Sequence, residues 1–312
     1  MKKLNNMKNI FSLLLLILLG GTISAQQDPQ FTQYMYNTIS VNPAYAGSRG
    51  ALTLGGLHRS QWVGIEGAPV TQTVFVHSPI VNEKMGLGFS AVNDKVGPIN
   101  QTFLFGDFAY HLKLTKTLKL GLGLKAGVNM FQPKIASLET ITANDPSFVN
   151  TTLRRTIAPN VGGGFYLYSD KFYVGASSPK MLQNKLRIGD STQSNILEKR
   201  HIFLIGGLII EASDNVKIKP TILTKMTQGA PLSIDATVEA LINDKWSFGL
   251  AHRWKESVSG LFGYNVTQQF KVGFAYDYTL TKLQKYNSGS FEIMLMYDFI
   301  TKRDKLKSPR YF

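Results

Sequence analysis

The chain contains no cysteine, so a disulfide framework, a thiolate metal site and a cysteine nucleophile are all excluded. Charged residues are sparse, at 17%, and acidic ones are the minority, 20 Asp and Glu against 34 Lys and Arg. Past residue 25 no stretch approaches 18 consecutive apolar residues, which excludes a membrane-spanning helix in that part of the chain. Between Gly50 and Phe299 there is also no amphipathic run of helix length. Enzyme signatures are missing: there is no HExxH, no GxSxG, and His58, His77, His111, His201 and His252 fall on separate segments. His58 and Ser60 share a strand face, the placement of a base and a hydroxyl nucleophile, but such spacing arises often by chance. Gly121, Gly123 and Gly127 imitate a dinucleotide fingerprint, yet no helix follows them, so relief of crowding or curvature is the better reading. No enzyme and no cofactor is expected.

The start of the chain points to export. Lys2, Lys3 and Lys8 precede an apolar run from Ile10 to Leu19, then Gly20, Gly21 and a small-residue stretch ending Ser24-Ala25. This is a signal-peptide pattern over 1–25, cut after Ala25, and its apolar run is too short to span a bilayer. The net charge is +14, three of those charges being leader lysines. Export and the dispersal of the lysines argue against nucleic acid and favour acidic surfaces or lipid headgroups.

What the rest of the chain does have is alternation. Leu118, Leu120, Leu122, Leu124, Ala126 and Val128 are separated by Lys119, Gly121, Gly123, Lys125 and Gly127. Phe291, Ile293, Leu295, Tyr297 and Phe299 alternate with Glu292, Met294, Met296 and Asp298. Successive side chains of a strand point to opposite faces, so each segment has one apolar and one small or polar face. A soluble sheet turns the apolar face to a core; a membrane barrel turns it to lipid.

Fourteen such segments are expected, at 51–61, 70–78, 85–93, 100–114, 117–131, 158–169, 171–178, 199–211, 215–226, 231–242, 245–255, 258–267, 270–280 and 289–300. The links after even-numbered segments are compact and carry Asn or Asp, residues that tolerate left-handed turns. The long links, 132–157, 179–198 and 281–288, all follow odd-numbered ones. Short turns at one end and long loops at the other are the pattern of an outer-membrane barrel, and a sandwich has no reason to sort its links so. The expected fold is therefore an all-β, transmembrane, antiparallel up-and-down barrel of about 14 strands over residues 50–300, in the outer membrane, with both termini on the periplasmic side. Trp62, Trp246, Trp254, Tyr278 and Tyr286 suit its interfacial girdles, and Lys119, Lys125, Arg253, Lys271, Asp277, Glu292 and Asp298 are expected to face the lumen. Lumenal charges of both signs either form a closing network or line a permeation path.

Residues 26–49 and 301–312 do not alternate. The first is rich in Asn, Gln, Pro and Tyr, and the two are expected to plug the lumen or to dock partners from the periplasmic side. Within it, Asp28-Pro29-Gln30-Phe31-Thr32-Gln33-Tyr34-Met35-Tyr36-Asn37 and Val41-Asn42-Pro43-Ala44-Tyr45-Ala46-Gly47 resemble the opening of the PorP/SprF family. His58-Arg59-Ser60-Gln61-Trp62, Gly67-Ala68-Pro69-Val70-Thr71-Gln72-Thr73 and the terminal Ser308-Pro309-Arg310-Tyr311-Phe312 extend the resemblance over the chain after its leader. It implies an integral outer-membrane protein of the type IX secretion system, without enzymatic activity, that supports secretion or surface anchoring of a partner such as a large adhesin. Implied partners are that adhesin or other cargo and periplasmic secretion, motor-complex or peptidoglycan-associated proteins, besides the lipid bilayer. Candidate partner-binding residues are Gln30, Phe31, Tyr34, Asn37, Asn42, Pro43 and Tyr45 in the opening block. Arg59 and Trp62, and at the chain's end Pro309, Arg310 and Phe312, complete that set. The competing class is a passive channel for small solutes or hydrophobic compounds.

Overall fold

The computed structural model describes residues 28–81, 83–133, 156–187 and 195–300. The strands are β1 (Leu52–Ser60), β2 (Val70–Ile80), β3 (Met85–Val96), β4 (Ile99–Lys113), β5 (Lys119–Pro133) and β6 (Thr156–Tyr168). They continue as β7 (Phe172–Ser178), β8 (Lys185–Arg187), β9 (Asn195–Leu197), β10 (His201–Leu208), β11 (Ile210–Ser213) and β12 (Val216–Thr227). The last are β13 (Ser233–Ile242), β14 (Trp246–Arg253), β15 (Ser257–Asn265), β16 (Phe270–Thr279) and β17 (Ser290–Phe299). All of the expected segments are strands. Each pairs with its neighbour in antiparallel register, and β1 closes on β17 from Leu52↔Phe299 to Ser60↔Phe291. The result is a closed 14-strand barrel with β11 as an extra strand, because the expected segment 199–211 breaks at Ile209. Ile209 is buried and its N–H still donates to Lys171 O at 2.7 Å, in step with Leu208↔Phe172; the gap is on the β12 side, where the register sets Leu208 opposite Pro220, which has no N–H to donate. The remaining two strands, β8 and β9, form a small hairpin inside the expected loop 179–198.

Faces follow the sequence alternation. In β17 the inward Glu292, Met294 and Asp298 are buried while Phe291, Ile293, Leu295 and Phe299 are exposed. Leu54, Val74, Phe89, Leu122, Leu124, Val238, Leu250 and Phe274 continue the outward apolar band. That band has no protein to cover it and is the lipid-contacting surface. At mid-strand in β14, Leu250 is 71% exposed. Leu250→Arg is therefore expected to cost about 2–4 kcal/mol in refolding equilibria in lipid vesicles. A change near zero would mean that this face does not sit in hydrocarbon.

In lipid each wall backbone group needs a partner. One seam lacks a strand: β6 pairs with β7 only from Gly163 to Tyr168, leaving its first half without a ladder on that side. The local sequence supplies the missing partners. Pro159 has no N–H to satisfy, its carbonyl accepts from Asn184 Nδ2 at 3.0 Å, and Val161 O accepts from Met181 N at 2.8 Å. Asn160 Oδ1 accepts from both Val161 N and Leu182 N.

Short turns 81–84, 114–118, 169–171, 214–215, 243–245 and 266–269 lie at the same end as Leu52 and Phe299, hereafter the turn end. The opposite loop end carries the longer links, although those at 97–98 and 254–256 are short. Trp246 packs against Tyr264 at the turn end, with the rings tilted by 39° and their centroids 4.3 Å apart. Trp254, Tyr278 and Tyr286 are exposed at the loop end, so aromatics ring both rims. Trp62 lies there too, half-buried, with φ +50 and its N–H donating to Ser290 Oγ at 3.0 Å.

Candidate functional site

The lumen is filled by the segment preceding β1. Asp28 sits at the loop end, ion-paired to Lys180 and 3.3 Å from His201 Nδ1. From there the chain descends the barrel and enters β1 at the turn end, where Arg49 pairs with Asp298 at 2.7 Å. The first described residue thus lies at the loop end and the last, Ile300, at the turn end; the termini themselves lie outside the described residues. Only the two barrel-closing strands meet at the turn end; the connection to β1 runs back through the lumen, because its buried side chains find partners there. Burial works against the Asp28 charge, but the Lys180 ammonium and His201 beside it hold its carboxyl below the usual range.

Short, tightly turned elements make this segment a plug. A 3-10 turn, Tyr34–Tyr36, leads into a single helical turn, Thr38–Val41, and a second 3-10 turn, Pro43–Tyr45. Asn42 caps the last by accepting from Ala44 N at 3.0 Å, with Pro43 in the first position where no N–H is needed. Phe31, Tyr34, Met35, Tyr36, Ile39, Ala44 and Tyr45 are buried in one cluster with wall residues such as Leu57, Phe75, Tyr166, Phe203 and Met294.

The wall is carved to receive the plug. A Cβ on Gly123 would lie 2.1 Å from Ala44 N, and one on Gly86 would lie 1.9 Å from Ala46 O. Both contacts are with backbone, so only glycine permits the approach. The crowding expected at Gly121 and Gly123 is therefore crowding by the plug.

Polar contacts fix its depth. Thr32 N and Gln33 N donate to the two Glu292 oxygens at 2.9 and 2.8 Å. Arg59 bridges Glu292 at 3.1 Å and Asp277 at 2.6 Å, with all three side chains buried. Lower down, the Tyr36 hydroxyl donates to Glu239, which also pairs with Lys219 at 2.9 Å. Lys125 Nζ donates to Ile39 O at 3.3 Å and pairs with Asp107 at 2.8 Å. Arg253 pairs with Asp235 at 2.6 Å. Six of the expected lumenal charges are thus paired inside the barrel, and Lys119 pairs with Glu83 at the rim, at 3.2 Å. Sequence reading missed Asp107, Lys219, Asp235 and Glu239, although each is a charge inside an alternating segment at the inward parity.

The candidate partner-binding residues divide in three. Phe31, Tyr34, Asn37, Asn42, Pro43, Tyr45 and Arg59 are buried where plug meets wall. Gln30 is half-buried and donates to Ser233 Oγ at 3.0 Å, and Trp62 lies at the loop-end rim. Pro309, Arg310 and Phe312 lie outside the described residues, as do the leader and most of the loop 132–157. The His58–Ser60 pair does form, at 3.1 Å, but on the outward face of β1.

Both ends of the plug meet further structure. At the loop end the β8–β9 hairpin folds over the mouth: Leu186 is fully buried with Phe131 and Ala158, and Glu198 accepts from Asn129 at 2.6 Å. At the turn end a cavity of about 520 Å³ remains, floored by Tyr36, Arg49, Lys219 and Lys271 and walled by the turns 243–245 and 265–270. Among the described residues no group of three or more potential ligands could hold a metal ion.

A family model described as "Type IX secretion system membrane protein PorP/SprF" matches residues 23–297. No curated protein matches. Among solved structures, the CymD monoaromatic hydrocarbon channel is 14% identical, with a TM-score of 0.50 over 90% of this chain and 98% of that one. A P. putida toluene transporter, TodX, is 10% identical, with a TM-score of 0.48 over 85% and 94%. A Pseudomonas aeruginosa FadL homologue is 13% identical, with a TM-score of 0.46 over 88% and 95%. At such identities the likeness is one of fold, that of outer-membrane barrels.

Proposed function

We propose, from the premise that the chain belongs to the PorP/SprF family of type IX secretion system membrane proteins, that it is a sealed outer-membrane barrel supporting secretion or surface anchoring of a partner protein such as a large adhesin. The observation that carries this reading is the plug. A permeation path needs an open lumen, whereas here residues 28–50 fill it with side chains hydrogen-bonded and ion-paired to the wall on several sides. A barrel closed in this way is a rigid platform, and its use lies in what its two ends hold. In the orientation with short turns in the periplasm, the loop end faces exported cargo and the turn end faces periplasmic components. The expected absence of enzymatic activity belongs to the same reading.

The test is a mild-detergent pull-down of the tagged protein from its own outer membrane, read by mass spectrometry. Recovery of a large surface protein or of periplasmic type IX components is expected. The barrel recovered alone, together with steady single-channel conductance in planar bilayers, would replace this reading with a passive channel. Deleting 301–312 is expected to spare membrane insertion and reduce secretion of the partner; unchanged secretion would remove the tail from the docking role.

A further inference from the structure

The outward apolar band does not stop where the strands end. At the loop end, between β16 and β17, the chain forms a 3-10 element, Lys282–Tyr286. Two tyrosines of β16 tether this link. Tyr276 and Tyr278 have the parity of the exposed Phe274, so both face outward. The Tyr276 hydroxyl donates to Ser288 O at 3.1 Å, and Gln284 Nε2 donates to the Tyr278 hydroxyl. Asn287 accepts from Thr279 Oγ1 at 3.1 Å and from Gly289 N at 2.8 Å. Ser288 N also donates to Val63 O of the neighbouring link at 2.7 Å. The element therefore sits astride the rim of the barrel, with Gln284 on the outward side of the wall.

Its sequence sorts by threes. In a 3-10 helix residues i and i+3 eclipse, so the five side chains form three stripes. Gln284 takes the stripe that meets the wall. Leu283 and Tyr286 share a second, 38% and 71% exposed, and Lys282 and Lys285 share the third, both exposed. Among the described residues neither lysine has a hydrogen-bond or ion-pair partner. Leu280 N donates to Glu256 O at 2.8 Å, which joins this link to the turn 254–256. That turn adds one exposed cation, Lys255, and one acid, Glu256, which lies 3.8 Å from Arg253. Glu66, on the adjoining link 61–69, is also exposed, and neither acid bonds Lys282 or Lys285. The wall beside the element is apolar and aromatic, with Trp254, Val258, Tyr278 and Leu280 exposed. An exposed leucine and tyrosine next to two stacked ammonium groups, continuous with a hydrocarbon-facing wall, suit the headgroup layer. There the apolar side chains sink toward the acyl chains and the lysine stems carry their charge up to phosphate.

We propose that the Lys282–Tyr286 element is a lipid-headgroup site, in which Leu283 and Tyr286 lie in the interfacial layer and Lys282 and Lys285 together hold the phosphate of a net-anionic lipid. The site goes beyond the secretion reading and does not rest on it; it requires only that the outward band contacts hydrocarbon.

The test uses the full chain refolded into phosphatidylcholine vesicles. The chain has three tryptophans, so Trp62→Phe with Trp246→Phe leaves Trp254 as the one reporter, on this rim. Brominated phosphatidylglycerol and brominated phosphatidylcholine, each added at low mole fraction, then compete for the positions beside Trp254, and its quenching gives their relative association. Trp254 meets whichever leaflet adjoins the loop end, so the readout is independent of the direction of insertion. A clear preference for phosphatidylglycerol is expected, falling as salt is raised. Lys282→Gln or Lys285→Gln is expected to lower that preference about fivefold, and the two together to abolish it, whereas Lys282→Arg with Lys285→Arg keeps it. Both lysines are exposed, and heat-modifiable gel mobility checks that each variant retains the barrel. Equal quenching by the two lipids, or a preference that survives the double Gln variant, overturns the proposal. So does quenching by neither lipid, which would put this rim clear of the bilayer and leave its surface to a protein partner.

Discussion

Arg59→Met is expected to destabilise the folded barrel by about 3–5 kcal/mol. Arg59 is the shared cation of two buried carboxylates, Asp277 at 2.6 Å and Glu292 at 3.1 Å. Methionine fills similar space but leaves two carboxylates close together, away from water, with no cation between them. Removing one partner of a buried ion pair costs far more than removing both. The double variant Arg59→Met with Glu292→Gln is therefore expected to recover part of the loss, since one carboxylate then remains and the Gln amide oxygen still accepts one of the two plug N–H groups. Urea-induced unfolding of the protein refolded into vesicles, followed by tryptophan fluorescence, measures both. An unchanged midpoint for the single variant, or a double variant that loses as much as the separate changes together, would show that this cluster does not bind plug to wall. Because Glu292 also accepts from Thr32 N and Gln33 N, the single variant should in addition make the segment around Phe31 exchange its amide hydrogens faster.

Gly123→Leu is expected to turn a sealed barrel into a conducting one. The wall at Gly123 sits inside the sheet, in register between Ala109 of β4 and Gly164 of β6, with both neighbouring ladders continuous around it. The plug at Ala44 is held by a cap and side-chain contacts, so it is the part that yields. A Cβ 2.1 Å from Ala44 N cannot be accommodated by a rotamer change, because the obstructing atom is backbone. Planar-bilayer recordings should give little steady conductance for the native protein and stable open levels for Gly123→Leu, with matching uptake of small sugars in a liposome-swelling assay. Leu122→Ala, on the outward face of the same strand, controls for general damage. A native-like trace from Gly123→Leu would mean that the plug does not depend on this seat, and an open native trace would mean that it does not seal.

Much of the fold was legible because a membrane barrel writes its geometry into every second residue. Leu122 and Leu124 face out and Gly123 and Lys125 face in for the same reason that they alternate in the sequence: a strand has a period of two and the bilayer enforces the outer half of it. The parity of turn and loop lengths fixed which strand ends lie together. The break at Ile209 and the β8–β9 hairpin were not legible, since the first depends on the register that sets Leu208 opposite Pro220 and the second on contact with the Phe131 cluster.

The site divides along the same line. Sequence alone determined that Lys125, Arg253, Lys271, Asp277, Glu292 and Asp298 point into the lumen, that residues 26–49 lie outside the strand pattern, and that their motif belongs to PorP/SprF. Only the tertiary structure decided what those charges hold: Arg59 with Glu292, Arg49 with Asp298, Tyr36 with Glu239, each pair about 200 residues or more apart. It also decided that the opening segment crosses the lumen from the loop end, where Asp28 meets Lys180, rather than resting below the barrel. The physical reason is that facing is a local property, set by one strand's own geometry, whereas pairing across a lumen and the fit of backbone against a wall glycine exist only once the sheet has closed around the segment inside it.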